Sequence, residues 1–386
     1  MIPVARPWIG EAEADAARRP LLSGWVTQGP EVAAFEAEFA AAVGAPHACA
    51  VANCTVALHL ALRAAGVGDG DDVVTVSHSF IATANAVRYV GARPVFADVE
   101  LGTYNARPEA VAKAITPRTR AILCVHQMGM PSDLAGLVEV ARRHGLPLIE
   151  DAACAIGSEV LWEDEWQRIG RPHGDVACFS FHPRKLVTTG DGGMLTTARE
   201  DWDRQFRLWR QHSMNVPDTV RHSAETIVFE EYTEVGFNYR MTDLQAAVGR
   251  EQLKRLPALL ERRRVQVERY RELLADVPGL GVPVEPDWAR SNWQSYCVLL
   301  PAGCDQRAVM QAMRDAGVST RRGIMCAHRE PAYAREPWLA GPSGLAVSEE
   351  AQERGLILPL YHELTADEQE TVSAALRAAC GAPVLP

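Results

Sequence analysis

Strand-like and helix-like segments alternate along residues 48–151, and this alternation leaves few possible folds. Apolar runs that predict strands, at 72–77, 94–98 and 120–126, are separated by segments with helical spacing. The predicted strands are apolar almost throughout, which is typical of parallel strands covered on both faces. The sequence therefore predicts an α/β fold with a mainly parallel central sheet flanked by helices.

Residues after the first alternation predict a smaller second unit. A strand at 295–300, a helix at 307–316 and a last helix at 366–379 suggest a small C-terminal α+β domain. An Arg-rich helix at 259–274, interrupted upstream by Pro257, reads as the connection. We expect a large domain at 1–250 and a small one at 251–386. Residues 1–30 read as an irregular arm, whereas 162–168 and 211–232 read as loops.

Composition excludes several classes of protein. The chain has 386 residues and a net charge of −10, which argues against a general nucleic-acid-binding or anionic-membrane surface. The first ten residues lack the basic and apolar regions of a signal peptide, and no apolar run is long enough to span a bilayer. We expect a cytoplasmic protein with neither nucleic-acid nor membrane partners.

The nine cysteines are scattered and form no C-x-x-C pair. Most lie in apolar, strand-like runs, as Cys124 does. We interpret them as reduced, buried thiols, and we predict no disulfide and no metal site.

Lys185 stands in the most informative stretch, residues 175–194. A buried strand at 176–181 runs into a loop that holds this lysine, and a Gly-rich turn leads to a second strand at 194–197. Burying an ammonium group is costly, and a lysine placed between apolar strands is suited to act as a nucleophilic amine. A surface lysine is the alternative. We expect the glycines to let the backbone pass close to a site rather than to bind phosphate.

Polar and aromatic residues follow other predicted strands, where parallel sheets bind ligands. The turn at 53–57 opens a helix, so its backbone N–H groups suit an anion, although Thr55 could be only an N-cap. Phe80 follows the second strand, and Glu150 and Asp151 end the strand at 146–151 with one side chain facing inward. Together with Lys185, these groups match what pyridoxal phosphate needs: an amine, an acid, an aromatic and a phosphate-binding turn.

Several ordered motifs make the resemblance specific. The chain resembles the DegT/DnrJ/EryC1/StrS family of fold-type I aminotransferases over nearly its whole length, and this family acts mostly on nucleotide-linked keto sugars. The matching motifs are SGWVTQGP at 23–30, NCTVALHL at 53–60, EDAACA at 150–155, SFHPRK at 180–185, TGDGG at 189–193 and GFNYRM at 236–241.

The resemblance implies a cofactor role for matching residues. Lys185 becomes the Schiff-base lysine and the catalytic proton carrier, and Asp151 pairs with the pyridine nitrogen. The other implied cofactor contacts are stacking by Phe80, backbone N–H groups of Cys54 and Thr55 on the phosphate, a hydroxyl from Ser180, and Asn238 reaching the phosphate from the other subunit of a homodimer with shared active sites. Cys154 stands where the family commonly has Gln or His near the ring substituents, so that contact departs from the family pattern.

The resemblance also implies the reaction. Glutamate or glutamine would donate the amino group, leaving pyridoxamine phosphate, and a nucleotide-linked keto-deoxy sugar would accept it at C4, in sugar, antibiotic or polysaccharide biosynthesis. Trp25, Thr27 and His328 are expected near the nucleotide-sugar substrate. The alternatives are amination at C3, a cyclitol ketone as acceptor, a pyridoxamine-phosphate-dependent sugar dehydratase, in which a histidine replaces the lysine, and a non-catalytic regulatory protein on the same fold.

Overall fold

The computed structural model describes residues 1–216 and 225–381, so the predicted 211–232 loop lies partly outside the described residues. The largest sheet contains β1 (His47–Val51), β2 (Asp72–Val76), β3 (Arg93–Ala97), β4 (Thr119–Val125), β5 (Leu148–Asp151), β8 (Val176–Ser180), β9 (Gly193–Thr197) and β13 (Leu339–Ala340). Two smaller sheets contain β6 (Glu159–Trp162), β7 (Glu165–Arg168) and β10 (Ala289–Arg290), and β11 (Tyr296–Leu299), β12 (Arg321–Arg322) and β14 (Gly355–Leu358). The helices are α1 (Glu11–Ser23), α2 (Pro30–Val43), α3 (Cys54–Ala64), α4 (Ala82–Tyr89), α5 (Pro108–Ala114), α6 (Leu134–His144), α7 (Glu200–Trp209), α8 (Asp243–Leu274), α9 (Gln306–Asp315), α10 (Ala346–Arg354) and α11 (Ala366–Ala379).

The central sheet is mainly parallel, as predicted. Its strand order is β1–β9–β8–β5–β4–β2–β3–β13, and all neighbours from β8 to β13 run parallel. Strand β9 runs antiparallel to both β8 and β1. Because β4, β5 and β8 are parallel neighbours, their carboxyl ends lie together at one edge of the sheet.

Apolar clusters cover both faces of this sheet. On one face, Phe39 of α2 contacts Phe179 and Phe181, with ring centroids 5.0 and 5.6 Å apart. On the other face, α3 and α7 bury residues such as Leu58 and Trp202 against the strands. This two-sided burial explains why the strands lack the polar alternation of half-exposed sheets.

Helix α8 connects the large sheet to the small one. It spans 32 residues, begins with the predicted Thr242–Gln245 capping box and continues through Pro257, so the expected interruption there is wrong. Its C-terminal half buries Val267 and Tyr270 in the cluster around β11 and β14. Position 250 lies inside this helix, and residues before and after it are called here the proximal and the distal half of the chain. Strand β13, from the distal half, joins the large sheet. The division into domains at 250 therefore stays a prediction.

Two segments expected to be irregular are ordered. Residues 11–23 form α1, whose buried Glu13 accepts hydrogen bonds from Gln252 and Arg255 of α8. Because this contact is polar, the sequence of α1 lacks the apolar stripe from which an amphipathic helix is predicted. Strands β6 and β7 form a hairpin at the expected 162–168 loop, with both turn residues, Glu163 and Asp164, at positive φ (50° and 66°).

All nine cysteines are free thiols, six of them buried. Within residues 1–216 and 225–381, no group of three or more His, Cys, Asp or Glu side chains could hold a metal ion. In the same ranges, every helix is too short or too polar to cross a bilayer.

A buried ionic cluster fixes the loop that carries Asn238. Glu36 accepts hydrogen bonds from Arg207 and Arg210, and its pKa lies below its ordinary value because the two guanidinium groups outweigh the effect of burial. The backbone oxygen of Arg210 accepts from Tyr239 N at 2.9 Å, and the Tyr239 oxygen accepts from Ala52 N at 2.8 Å. The cluster therefore ties this loop to the end of β1.

Replacing Glu36 with Ala should leave Arg210 buried without its carboxylate. We expect the free energy of unfolding to fall by about 3–5 kcal/mol, as is typical when one partner of a buried ion pair is removed. Urea denaturation measures the loss. Glu200→Ala, which removes an exposed pair with Arg204, is the matched control and should cost less than about 1 kcal/mol. Equal losses in the two variants would contradict a structural role for the cluster.

Candidate active site

A cavity of about 590 Å³ opens where the carboxyl ends of β4, β5 and β8 meet. Residues from both halves of the chain line it. Among them are Asn53, Cys54, Thr55, Phe80, Thr83, His126, Asp151, Cys154, Ser180, Arg184 and Lys185 from the proximal half, and Gln294, Arg321, Ile324, Ile357 and Leu360 from the distal half. The volume suits a small-molecule ligand.

Lys185 is half-buried in the loop after β8 and is not a surface lysine. Its backbone N–H donates to His182 O at 2.8 Å, and its Nζ lies 3.0 Å from Cys154 Sγ. Burial lowers the pKa of Lys185, but Cys154 and other nearby groups outweigh that effect, so the pKa lies above its ordinary value. The cofactor-free amine is therefore held as an ammonium group that faces the cavity.

Asp151 ends β5 with its carboxylate buried. Oδ2 accepts from Thr83 Oγ1 at 2.7 Å, and Oδ1 accepts from Ala153 N at 3.2 Å. Among the described residues, no Lys, Arg or His side chain forms an ion pair with it. Burial raises the pKa of Asp151, and the hydrogen bonds and the charge of Lys185 offset that effect only in part. A ligand atom that carries positive charge would satisfy this carboxylate.

Glu150 faces away from the cavity, as strand alternation predicts. Ser132 N donates to His126 Nδ1, so Nε2 carries the hydrogen and donates to Glu150 Oε2 at 3.0 Å. The second oxygen of Glu150 accepts from Gly174 N at 3.0 Å. Because Glu150 is satisfied within the protein, Asp151 is the acid available to a ligand.

The turn before α3 presents free backbone donors. Asn53, not Thr55, is the N-cap, and its Oδ1 accepts from Val56 N at 3.1 Å. The N–H groups of Cys54 and Thr55 occupy the first helical positions, which have no partner inside a helix. Ser180 ends the adjacent strand β8 and lines the same cavity. This arrangement suits a phosphate group.

Gly193 makes the close approach of β9 to this turn possible. A Cβ atom built there would lie 2.5 Å from the carbonyl carbon of Asn53 and 2.8 Å from Cys54 N. Gly193 pairs with Val51 on one side and Ser180 on the other. The Gly-rich turn thus lets the backbone pass the site, as expected from the sequence.

Phe80 lines the cavity with 52% of its surface exposed. An aromatic side chain left this open at a cavity wall can cover one face of a planar ligand. Every residue predicted to bind the cofactor within one subunit therefore lines one cavity.

Comparison with known proteins gives the family. The sequence model of the DegT/DnrJ/EryC1/StrS aminotransferase family matches residues 7–377. The chain belongs to this family. It is 37% identical over 380 residues to the spore coat polysaccharide biosynthesis protein SpsC of Bacillus subtilis, covering 97% of this chain and 96% of SpsC.

Solved structures agree with this placement. The aminotransferase TlmJ from Streptoalloteichus hindustanus is 36% identical, covers 99% of both chains and has a TM-score of 0.89. DesV from S. venezuelae is 34% identical, covers 95% of this chain and 94% of its own, and has a TM-score of 0.86. The predicted fold-type I aminotransferase architecture is confirmed, and the chain is a pyridoxal-phosphate-dependent aminotransferase.

The cavity of this aminotransferase fits the cofactor. The unpaired carboxylate of Asp151 suits a protonated pyridine nitrogen, and the helix start at Cys54 suits the phosphate. Lys185 and Cys154 line the same cavity. The individual contacts between these residues and the cofactor stay predictions, which the shape and charge of the cavity support.

Asn238 does not line the cavity of its own subunit. It is exposed, and its backbone pairs with Gln211 next to the end of α7. Exposure of this side chain is compatible with the predicted contact in a neighbouring subunit, which stays a prediction.

The three residues predicted near the sugar nucleotide are not on the cavity wall. Trp25 donates from Nε1 to Gln28 O at 3.1 Å, and Thr27 is exposed with its backbone oxygen bonded to Asp243 N. His328 bonds through Nδ1 to Ser77 Oγ at 2.7 Å and through Nε2 to Glu349 Oε1 at 3.0 Å. Both ring nitrogens of His328 are thus engaged, one with Ser77 of the proximal half and the other with Glu349 of the distal half. Substrate contact by Trp25, Thr27 and His328 stays a prediction without support from this arrangement.

Other lining residues escaped the sequence analysis. Thr83 orients Asp151, whereas Gln294 and Arg321 enter the cavity wall from the distal half. The Thr83 contact could have been suspected from its place on α4 directly after the Phe80 turn. Arg321 lies in the stretch 321–330 that the family resemblance places near the substrate, whereas nothing local in the sequence marks Gln294, because only the tertiary fold brings it to the loop of Lys185.

Asp151→Asn should stabilise the cofactor-free aminotransferase at neutral pH. The pKa of this carboxyl is higher in the folded than in the unfolded chain, so its ionisation destabilises the fold once the pH exceeds the unfolded value of about 4. We expect a gain of about 0.5–2 kcal/mol at pH 7 that disappears on acidification, together with weaker cofactor retention. Thermal unfolding from pH 4 to 8 measures the gain.

The exposed substitution Asp15→Asn is the control for the loss of one negative charge. It should leave the pH dependence of unfolding unchanged. A cofactor-free Asp151→Asn protein that is no more stable than the wild type at pH 7 would contradict the unpaired carboxylate.

Proposed function

We propose that the aminotransferase moves an amino group from glutamate or glutamine to C4 of a nucleotide-linked keto-deoxy sugar. One observation supports this most: a single cavity holds the amine of Lys185, the unpaired carboxylate of Asp151, the open ring of Phe80 and the free N–H groups at the start of α3. Pyridoxal phosphate, when bound there, supplies a ring that withdraws electrons from the carbon bearing the amino group.

The residues of the chain divide the work of binding. Asp151 keeps a proton on the ring nitrogen, and Thr83 holds the carboxylate oxygen in place. The N–H groups of Cys54 and Thr55 and the hydroxyl of Ser180 bind the phosphate. Phe80 covers one ring face and keeps water from it. These contacts fix the cofactor so that Lys185 faces the reacting carbon.

Lys185 moves the proton. Its Nζ would be the covalent attachment point and, once released, would carry a proton between the substrate carbon that bears the nitrogen and the cofactor carbon next to the ring, in opposite directions in the two half-reactions. The same lysine distinguishes this reaction from the sugar dehydratases, which carry histidine at this position.

Two cationic side chains on the cavity wall suit anionic substrates. Arg184 and Arg321 both line the cavity, and within the described ranges neither guanidinium group has a carboxylate partner. An amino-acid donor offers carboxylates, and a nucleotide sugar offers a diphosphate, and both are favourable ligands for arginine. The name of SpsC, at 37% identity, supports polysaccharide biosynthesis as the setting.

Trapping experiments test the lysine. Borohydride reduction of the purified yellow protein should fix the cofactor to the peptide containing Lys185, as detected by mass spectrometry. Lys185→Ala should lose turnover by at least about 10³-fold, because both attachment and proton transfer depend on this amine. A Lys185→Ala protein that still transaminates would refute the assignment, and Lys254→Ala, at an exposed lysine on α8, is the control.

A substrate panel tests the acceptor. Nucleotide-linked 4-keto and 3-keto sugars and a cyclitol ketone, each with glutamate or glutamine as donor, should show turnover only with the 4-keto series. NMR of the product locates the new amine. Turnover restricted to 3-keto sugars or to the cyclitol would overturn the proposed position.

Mixed dimers test whether Asn238 acts in the other subunit. Asn238→Ala should weaken cofactor retention, whereas Gln311→Ala, on the exposed face of α9, should not. If the sites are shared, a dimer of one Lys185→Ala and one Asn238→Ala subunit contains one intact site and one doubly damaged site. About half of the sites should then retain cofactor tightly. Mixed dimers in which neither site retains cofactor as tightly as the wild type would mean that Asn238 acts within its own subunit.

A further inference from the structure

The amine of Lys185 has one hydrogen-bond partner among the described residues, the thiol of Cys154. Nζ lies 3.0 Å from Sγ, well inside the range for a hydrogen bond to sulfur. Cys154 is half-buried and lines the same cavity as Lys185, so the contact between thiol and amine lies at the cavity wall. Cys154, the residue that departs from the family pattern, is thus in direct contact with Lys185, the proposed catalytic group.

The backbone of Cys154 is held from the distal half of the chain. Buried Asn292 donates from Nδ2 to Cys154 O and to Ile156 O, both at 2.8 Å. Ala152 N and Ala155 N complete the turn with bonds to Cys178 O and Ala152 O. The backbone that carries the thiol is therefore fixed by the fold.

The loop of Lys185 is held by the same distal segment. Two residues after Asn292, Gln294 accepts from Leu186 N at 2.9 Å and donates to Arg184 O. Gln294 N also donates to Asn292 Oδ1 at 2.8 Å. The segment 291–295 thus binds the turn that carries the thiol and the loop that carries the amine.

Segment 291–295 is itself fixed. Its central residue, Trp293, has a positive φ of 52°, an uncommon conformation for a bulky side chain. Arg263 of α8 donates to Trp293 O at 2.6 Å and to Gln294 O at 3.0 Å. A backbone held in this conformation by a buried guanidinium indicates that the fold specifies the approach of thiol to amine.

We propose that Cys154 is a positioning residue for Lys185: its thiol holds Nζ towards the reacting carbon whenever the amine is free. The inference rests on the proposed role of Lys185. A lysine side chain has four rotatable bonds, so a fixed partner restricts it after each release from the cofactor. The contact also favours the ammonium form, in agreement with the raised pKa of Lys185.

Cofactor capture by the cofactor-free protein tests the proposal without an activity assay. The neutral amine is the form that attacks the cofactor, so the capture rate rises with pH as Lys185 loses its proton. In Cys154→Ala, the half-maximal rate should shift to lower pH by about one unit, and the plateau rate at high pH should fall because the amine is no longer held. Stopped-flow absorbance with pyridoxal phosphate records both. Titration of the cofactor itself is common to all variants.

Two further variants complete the measurement. Cys154→Ser keeps a hydrogen-bonding hydroxyl and should fall between the wild type and Cys154→Ala. Cys304→Ala removes a half-buried thiol outside the cavity lining and should reproduce the wild-type profile. Should the Ala variant not fold, the shift in Cys154→Ser decides. Profiles of both Cys154 variants that superimpose on the wild type would overturn the proposal.

Alkylation offers an independent measurement. Iodoacetamide should modify Cys154 in the cofactor-free protein and block capture, whereas protein with cofactor already fixed by borohydride should be protected at this thiol. In Cys154→Ser the same treatment should leave capture intact. Capture that survives complete modification of Cys154 would contradict the contact. If Lys185 is not the attachment lysine, borohydride will fix the cofactor to a peptide other than the one containing Lys185. That result is distinguishable from a failure of the proposed Cys154 contact.

Discussion

The buried carboxylate of Asp151 is the interaction on which the rest of the site depends. A lone charge at the end of a central strand is costly, and the described part of the chain gives this carboxylate two neutral hydrogen bonds, from Thr83 and Ala153, and no ion pair. Neighbouring Glu150, by contrast, is fully satisfied by His126 and Gly174. The two adjacent acids thus differ in their hydrogen-bond partners. Glu150 is satisfied within the protein, whereas Asp151 has no cationic partner among residues 1–216 and 225–381.

The distal half of the chain completes what the central sheet begins. The sheet supplies the acid, the amine and the phosphate turn, but segment 291–295 determines how the turn after β5 and the loop after β8 approach each other. Arg263 links that segment to α8, which also contacts α1 and the small sheet. Geometry near the reacting carbon therefore depends on residues more than a hundred positions from Lys185.

The sequence predicted the central sheet, and the residues that it proposed for the cofactor within one subunit line one cavity, because those signals are local. Apolar strands followed by Lys185 or Asp151 can be recognised without tertiary contacts. Helix α1 was missed because it packs through the polar contacts of Glu13 and not through an apolar stripe. His328 was expected in the site, whereas the structure places it between Ser77 and Glu349. Asn292 and Gln294 could not have been found, since a buried amide shows its role only when its partners from distant segments are known.

Gly193 and Cys154 differ in the room that the fold leaves for a side chain. Even alanine would bring a Cβ atom to 2.5 Å from the carbonyl carbon of Asn53, so no substitution is tolerated without moving the phosphate turn. The position at 154 is different, because a side chain there reaches into open cavity and can be exchanged without disturbing the backbone. A substitution at 193 therefore has to move the backbone, whereas a substitution at 154 changes the group that faces the lysine.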